Sequence, residues 1–213
     1  MDFGQALTFQ FKDPRWIQKF LLAALLSLIP IFGQAVVFGW SLAIGQRVMR
    51  GDANLLPEMD LTNDLLRGLK AWGIGLVYLL PALIIAAPIG AAIGFLVAGA
   101  DGRSGYLWLL AGLSLVAILI VYGLALIFVL PASLGNFMAK GEKIQAGWDV
   151  KEVYRLLRRN PAAYFLVMIG GILCIFITSL GLAGCIIGVI VSSLYSLTIM
   201  AHLYGQAYRI TNI

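Results

Sequence analysis

The chain has 213 residues, of which 61% are hydrophobic and 12% are charged, with a formal net charge of +5 and a mean hydropathy of +0.94. Soluble domains are about half apolar and a quarter charged, so this composition excludes a soluble enzyme. The basic residues are spread between long uncharged runs, which excludes a nucleic-acid-binding protein as well. We therefore expect a single integral membrane domain over residues 1–213.

The first long apolar run extends from Phe20 to Gln46 and is interrupted in its middle by Pro30 and Gly33. Its 27 uncharged residues exceed the ~20 that one crossing needs, but they are too few for two full crossings. Two arrangements remain open at this point. Either one long kinked helix crosses once, or two short helices at about 14–29 and 33–49 form a partly inserted hairpin.

Four further apolar helices follow. They are predicted at about 72–100, 106–130, 161–179 and 185–208. Pro81, Pro88 and Pro131 mark places where these helices are expected to kink or break, and Asn160 with Pro161 supplies an N-cap and a first-turn proline for the third. The prediction is an all-α polytopic integral membrane helical bundle with four full crossings plus an N-terminal helical hairpin, or 5–6 membrane segments.

The placement of Lys and Arg predicts the orientation of the bundle, because cytoplasmic loops carry the excess of positive charge. With a hairpin at residues 20–46, one side of the membrane holds 14 of the 15 basic residues and only Arg103 lies outside. With a single crossing the ratio falls to 11 against 4. The hairpin is preferred, and both termini are expected in the cytoplasm.

Three short segments have the spacing of amphipathic helices. Their apolar positions are Phe3, Leu7 and Phe11; Leu61, Leu65 and Leu69; and Val150, Val153, Tyr154 and Leu157. The second and third carry charges on the opposite face, namely Asp64, Arg67 and Lys70, and Lys151, Arg155 and Arg158. Each segment is predicted either to lie in the headgroup plane or to pack as a connector on the bundle. Candidate contacts for anionic lipid headgroups are Lys151, Arg155, Arg158 and Arg159; the alternative is that they only enforce orientation.

A weak internal repeat joins three helix ends. The sequences GQRVMRG, GNFMAKG and GQAYR begin at Gly45, Gly135 and Gly205, and each has a glycine, an amide and a nearby basic residue. A duplicated unit over about 33–100 and 106–180 would produce this pattern, as in many transport folds. Chance combined with the shared need for positive charge is the alternative.

No catalytic, metal or cofactor site is predicted. The acidic residues fall in loops or helix ends, and a cation site at Asp52, Glu58, Asp60 and Asp64 is less favoured than pairing with the basic stretch 140–159 or solvation.

His202 is interpreted as a polar residue at headgroup level. The motif around Ser104 resembles that of intramembrane serine proteases, but the predicted topology separates Ser104 from His202 by most of the bilayer. Cys174 and Cys185 are not expected to form a disulfide.

Two stripes of small residues are the strongest steric pattern. They are Ala86, Gly90, Gly94 and Ala98, and Gly184, Gly188, Ser192 and Ser196. Small faces let helix backbones approach closely in lipid, where this contact is a main source of association. The two stripes are predicted to pack against each other, with a homo-oligomer contact as the alternative.

The opening segment and the first loop resemble a known family. The carrying motifs are F-x-F-K-D-P-R-W-x-x-K from Phe9, L-I-P-I from Leu28, R-V-M-R-G from Arg47, and L-P-E-M-D from Leu56 leading to D-L-L-x-G-L. They resemble the prokaryotic membrane family catalogued as domain of unknown function 4013, although Met59 stands where an aromatic residue is expected. The resemblance implies a small helical bundle in the cytoplasmic membrane and implies no activity.

The predicted role is non-catalytic, as an accessory, scaffold or assembly protein of a prokaryotic cytoplasmic membrane. Its expected partners are the lipid bilayer, anionic lipids, and a membrane protein or a second copy of the chain, with no nucleic acid. The alternative is a transporter or channel for a small or lipidic solute. A polar path lined by Gln34, Asn136 or Ser193 would favour transport.

Overall fold

The computed structural model describes residues 1–98 and 102–212, apart from the side chains of residues 95, 102–105 and 107. Nine α-helices and no strand occur within these residues, which confirms the all-α prediction. The helices are α1 (Phe3–Thr8), α2 (Trp16–Ser27), α3 (Phe32–Arg50), α4 (Leu61–Ala98), α5 (Gly102–Ala139), α6 (Ile144–Trp148), α7 (Val150–Arg159), α8 (Pro161–Leu180) and α9 (Cys185–Thr211). Short 3-10 turns at Phe9–Lys12 and Gly181–Gly184 follow α1 and α8.

Helices α2 and α3 form an antiparallel hairpin, so the alternative of one long kinked helix is wrong. The turn contains Pro30, and Ile31 adopts a φ of 66°, outside the helical region. The rings of Phe20 and Trp40 meet edge to face, with centroids 6.1 Å apart. Gly33 lies so close to α2 that a Cβ there would be 1.7 Å from the carbonyl oxygen of Leu26. Glycine at this position therefore closes the hairpin.

The described residues form two compact units, Met1–Ile74 with Phe128–Ile213, and Gly75–Ile127. The second unit consists of the later part of α4 and the earlier part of α5. Within it, the hydroxyl of Tyr122 donates a hydrogen bond to the carbonyl oxygen of Tyr78 at 2.5 Å. Farther along, Gly112 faces Ile93, so the two helices run antiparallel.

The three prolines lie inside continuous helices. Pro81 and Pro88 are within α4 and Pro131 is within α5. Of the two predicted alternatives, a break of the helix at these prolines is therefore wrong, and a kink stays a prediction. In a long apolar helix the loss of one backbone donor at each proline is outweighed by the many hydrogen bonds that remain on either side.

The core of the first unit is built around α9. Helices α1, α7 and α8 pack on α9, as do α2 and α3. One buried cluster joins α9 to α8 and α7 and includes Val153, Leu156, Tyr164, Val167, Ile199 and Leu203. A second joins α9 to the hairpin and includes Phe9, Phe20, Val37, Trp40, Ile44 and Leu194. The last helix of the chain is thus the central helix of this unit.

Three helical stretches among the described residues are long and apolar enough to cross a membrane: Leu61–Ala98, Trp108–Ala139 and Pro161–Thr211. The third contains two antiparallel helices, α8 and α9, and the shorter α2 is also apolar. Exposed leucine, isoleucine and valine side chains cover these stretches; Ile84 and Val121 are 67% and 66% exposed. The chain thus has the helices of a membrane protein, and the number of crossings and the orientation stay predictions.

Candidate functional site

An ion cluster with one buried pair, Lys19 and Asp13, fixes the loop before α4 onto the start of α2. The ammonium of Lys19 lies 2.7 Å from Asp13 Oδ2, 3.2 Å from Glu58 Oε1 and 2.9 Å from the carbonyl oxygen of Leu56. Arg15 Nη2 lies 2.6 Å from the same oxygen of Glu58. The side chains of Lys19 and Asp13 are only 6% and 5% exposed, so the charges stabilise each other inside the protein. We call these residues the hairpin cluster.

Asp13 of the hairpin cluster has a lowered pKa. Burial alone would raise the pKa of this carboxyl group above its usual 3.8, but the hydrogen bond from Lys19, the backbone N–H of Arg15 and the nearby positive charges outweigh burial. The carboxylate form is therefore the one that the fold stabilises.

A second cluster ties α4 to α3 and to the turn after α5. Arg67 Nη1 lies 2.5 Å from Asp64 Oδ1, and Arg67 Nε lies 2.7 Å from Glu142 Oε1. The amide of Gln46 donates to the same Glu142 oxygen at 2.9 Å. Glu142 itself has a φ of 62°, which is rare for a residue with a side chain. We call these residues the α4 cluster.

The α4 cluster determines which face of the second amphipathic segment is buried. Asp64 is 3% exposed, whereas Leu61 and Leu69 are 55% and 42% exposed. The charged face therefore points into the first unit and the leucine face points outward. The sequence pattern locates the two faces of a helix but cannot say which one is buried, because that depends on Glu142, 75 positions away from Arg67.

The acidic residues of the first loop are not arranged as a metal site. Glu58 pairs with Arg15 and Lys19, and Asp64 pairs with Arg67, so the prediction that they pair with the basic stretch 140–159 is wrong. Asp60 accepts hydrogen bonds from the backbone N–H and side-chain amide of Asn63, which lower its pKa. Among residues 1–98 and 102–212, no group of three His, Cys, Asp or Glu residues is placed to hold a metal ion.

The three glycine-amide helix ends of the internal repeat belong to α3, α5 and α9, and they converge. A Cβ at Gly205 would lie 2.5 Å from the carbonyl oxygen of Gly45, and one at Gly45 would lie 2.9 Å from Met138 Sδ. A Cβ at Gly135 would lie 3.1 Å from the ring of Tyr208. Glycine therefore permits the close approach of these helix ends, and duplication of the 33–100 and 106–180 segments stays a prediction.

The amide that follows each of these glycines binds a neighbouring segment. Gln46 donates to the carbonyl oxygen of Met138 at 3.3 Å, and Asn136 donates to that of Ala146 at 2.8 Å. Gln206 hydrogen-bonds to the backbone of Asp2. The repeated residues thus share a role in holding the helix ends.

Beside this convergence lies a cavity of about 960 Å³, which we call the end chamber. It is bordered by the start of the chain, the end of α3 with its following loop, and the end of α9. Its lining residues are Met1, Asp2, Gln5, Phe9, Lys12, Asp13, Pro14, Val48, Gly51, Asp52, Ala53, Asn54, Leu55, His202, Gln206, Arg209 and Ile210. The volume is in the range of clefts that bind small molecules.

His202 lies fully buried and borders the end chamber. Its depth at the headgroup level of the membrane stays a prediction. Its ring stacks on Phe9, with centroids 4.8 Å apart. The backbone N–H of Asp2 donates to Gln206 Oε1 at 2.8 Å, which fixes the amide so that Gln206 Nε2 faces His202 Nδ1 at 3.2 Å. In the neutral ring the proton is therefore on Nε2, and that buried atom has no hydrogen-bond partner among the described residues.

The predicted transport path is not formed by its three named residues. Gln34 and Ser193 are exposed, whereas Asn136 is fully buried and donates to Ala146. None of the three lines the end chamber. Cys174 is buried, Cys185 is exposed and both are free thiols, as expected.

The small-residue stripe of α9 packs against α8 and the turn that joins them. A Cβ at Gly188 would lie 2.2 Å from the carbonyl oxygen of Gly181, and Ser196 donates to the carbonyl oxygen of Cys174 at 3.1 Å. Ser192 likewise reaches the carbonyl oxygen of Thr178 at 3.4 Å. The tight turn between α8 and α9 places α8 beside this face of α9. Gly188 therefore has Gly181 as its neighbour, which corrects the prediction that it packs against the other small-residue stripe. Gly184 has open space beside it.

The other stripe lies on α4 in the second unit. Added Cβ atoms at Gly90 and Gly94 would have nothing within 4 Å, Ala86 is half-buried, and Ala98 is exposed. What this face packs against stays a prediction.

Helix α7 carries the predicted headgroup contacts. Its N-cap Asp149 accepts a hydrogen bond from the backbone N–H of Glu152. Val153 and Leu156 are buried against the core, which makes α7 a packed connector. The four basic residues are exposed, and only one of them, Arg155, has an ion-pair partner, Glu152, among the described residues. The predicted roles of Arg103 and Ser104 lie outside the described side chains.

Sequence reasoning missed the polar residues inside the last helix. Thr198, His202 and Gln206 are all buried, and they recur every four positions in an otherwise apolar segment. That spacing places them on one face of α9 and is the signal that could have located the end chamber. The contact with Asp2 joins residues 204 positions apart, so no local pattern predicts it.

Comparison with known proteins gives one match. The model of a family described as "Protein of unknown function (DUF4013)" matches residues 22–194. No curated protein matches the chain, and no solved structure does.

Proposed function

The chain belongs to the DUF4013 family of unknown function, and we propose from its geometry that it is a non-catalytic integral membrane protein of accessory or scaffold type in a prokaryotic cytoplasmic membrane. In this proposal both termini face the cytoplasm and α7 lies against anionic lipid headgroups.

The observation that carries the proposal is the surface of α7. Lys151, Arg158 and Arg159 are exposed and have no ion-pair partner among the described residues, while Val150 and Tyr154 are each 63% exposed. Exposed apolar and aromatic side chains beside free cations suit a helix at the membrane surface, where each cation contributes about 1 kcal/mol of attraction to anionic lipid.

The two ion clusters support a holding role. In the hairpin cluster and the α4 cluster, the carboxylates of Asp13, Glu58, Asp64 and Glu142 are engaged with the cations of Arg15, Lys19 and Arg67. Such pairs fix the arrangement of the hairpin, the loop before α4 and the turn after α5. A fixed frame with apolar outer helices is what a scaffold needs.

Lipid binding by α7 can be tested in nanodiscs. Native mass spectrometry would count retained lipids for the purified chain in discs of phosphatidylcholine with or without phosphatidylglycerol. Wild type should retain phosphatidylglycerol, and the triple variant Lys151→Gln, Arg158→Gln, Arg159→Gln should retain less. The matched control is Arg155→Gln, because Arg155 is already paired with Glu152. Equal retention by wild type and the triple variant would overturn the headgroup role.

Transport of a small or lipidic solute is the second candidate, and the end chamber favours it. The chamber gives a binding volume at one end of the first unit. Transport requires in addition that the volume open to the other side of the membrane. Uptake into proteoliposomes containing the purified chain, compared with empty vesicles, separates the two roles.

A further inference from the structure

The end chamber has a surplus of hydrogen-bond donors over free acceptors. Lys12 and Arg209 line it, and neither has an ion-pair partner among the described residues. The guanidinium of Arg209 lies over Gly51, where an added Cβ would be 3.5 Å from Nη1. His202 adds a buried N–H without an acceptor. A buried donor without a partner is costly, so a ligand that accepts from it is favoured.

The carboxylates of the chamber offset this surplus only in part. The carboxylate of Asp13 is paired with Lys19, and Asp2 Oδ1 accepts the backbone N–H of Gln5 at 2.8 Å as the cap of α1. Asp52 is the exception, since it is exposed and has no side-chain partner among the described residues. Two cations without an ion-pair partner and one free N–H therefore line the chamber together with two carboxylates that have no cationic partner among the described residues, Asp52 and Asp2, of which Asp2 is engaged as a helix cap.

From these groups we infer that the end chamber binds a phosphate-bearing ligand. The phosphate oxygens accept from the guanidinium of Arg209 and the ammonium of Lys12, and an acceptor of the ligand reaches the N–H of His202. Arginine matches the geometry of phosphate oxygens with two parallel donors. Phe9 and Val48 give the chamber an apolar part of its lining, which can contact an uncharged part of the same ligand. The inference goes beyond the proposed scaffold function and uses no residue of α7.

Two sources of phosphate share this chemistry, a free phosphate compound and a lipid headgroup. The test uses the full chain in phosphatidylcholine nanodiscs. One arm measures binding of inorganic phosphate by equilibrium dialysis with radiolabelled phosphate. The other replaces part of the lipid by phosphatidylglycerol and counts retained lipids by native mass spectrometry. Binding in the first arm identifies a free ligand, and retention in the second arm alone identifies a headgroup.

Variants locate the binding at the chamber. Arg209→Gln or Lys12→Gln should lower the affinity for whichever probe binds, phosphate or phosphatidylglycerol, roughly tenfold, which is the effect of losing one charged hydrogen bond. Asp52→Asn should strengthen binding, because it removes a negative charge without a side-chain partner from the lining of the chamber. Arg50→Gln is the matched control, since Arg50 is an exposed cation that does not line the chamber.

Two results would overturn the inference. The first is that wild type binds neither probe. The second is that Arg50→Gln weakens binding as much as Arg209→Gln. Binding would then be due to diffuse surface charge and not to the chamber. Thermal unfolding of each variant shows whether it is folded, and the exposed positions of Lys12, Arg209 and Asp52 make folded variants the expected outcome. The chamber variants change no residue of α7, and the α7 triple variant changes no residue of the chamber, so lipid retention lost in one set and kept in the other is assigned to one of the two sites.

Discussion

Replacement of Gly39 by alanine tests how closely α3 and α4 pack. A Cβ at Gly39 would lie 1.8 Å from the carbonyl oxygen of Asp64, and one at Gly68 would lie 1.9 Å from that of Ala35. The two helices are thus in backbone contact from both sides. Since the contact is with backbone, no flexible side chain can move aside.

The expected loss of stability follows from these distances. Ordinary contact needs about 3.5 Å, so the Asp64 carbonyl must recede by about 1.7 Å from the new methyl group of Gly39→Ala. Overpacking of this kind costs about 1–3 kcal/mol, and the upper end applies because backbone must shift. Alanine gains about 1 kcal/mol over glycine inside a helix. The net loss is about 2 kcal/mol, which lowers the unfolding midpoint by about 4–8 °C in a chain of this size.

A matched control separates packing from helix propensity. Gly73 lies in α4, the partner helix of this crossing, and a Cβ there would have nothing within 4 Å. Gly73→Ala should raise the midpoint by about 2–4 °C, because it gains propensity without a clash. The assay is thermal unfolding in detergent, followed by circular dichroism. A Gly39→Ala protein that melts at or above wild type would refute the close crossing of α3 and α4.

Three further predictions concern the charged and thiol groups. Arg67→Met should destabilise the protein by about 3–5 kcal/mol, since it leaves the buried Asp64 and the half-buried Glu142 without a cation, and adding Asp64→Asn should recover part of the loss in the same melting assay. Because the pKa of Asp13 is lowered, its contribution to stability should be present above its usual value of 3.8 and be lost as the pH falls through the lower folded value; Asp13→Asn should flatten that part of a stability curve against pH, and an unchanged slope would contradict the assignment. Cys185 should react with N-ethylmaleimide in the native protein and Cys174 only after unfolding, as read by mass spectrometry; equal rates would show that α8 and α9 are not packed as described.

Local signals in the sequence were sufficient for much of the fold. The capping pair Asn160 and Pro161 starts α8 as predicted, with Asn160 Oδ1 accepting the backbone N–H of Ala163. Pro30 and Gly33 mark the turn of the α2–α3 hairpin, because a proline lacks a donor and a glycine allows close approach. These features are decided within a few residues, so a single sequence contains them.

Other features depend on partners far along the chain. The face of α4 that is buried depends on the ion pair between Arg67 and Glu142. The small-residue stripe of α9 packs on α8 because the turn at Gly181 is tight. The spacing of the small residues shows that one face of α9 can pack closely, but it does not show which helix packs there. The end chamber needs the start of the chain, the loop after α3 and the end of α9 to meet, and no local pattern specifies that meeting.

In the first unit, polar groups face inward on both α4 and α9. On α4 the charged face is buried and the leucine face is exposed; on α9 the buried face contains Thr198, His202 and Gln206. In water such an arrangement would expose apolar surface and bury charge, both at a cost in free energy. In a bilayer the exposed leucines are favourable and the buried polar groups need partners within the protein. Any specific chemistry of this chain should therefore be sought on its inner polar faces, and the end chamber is where one of those faces meets a cavity.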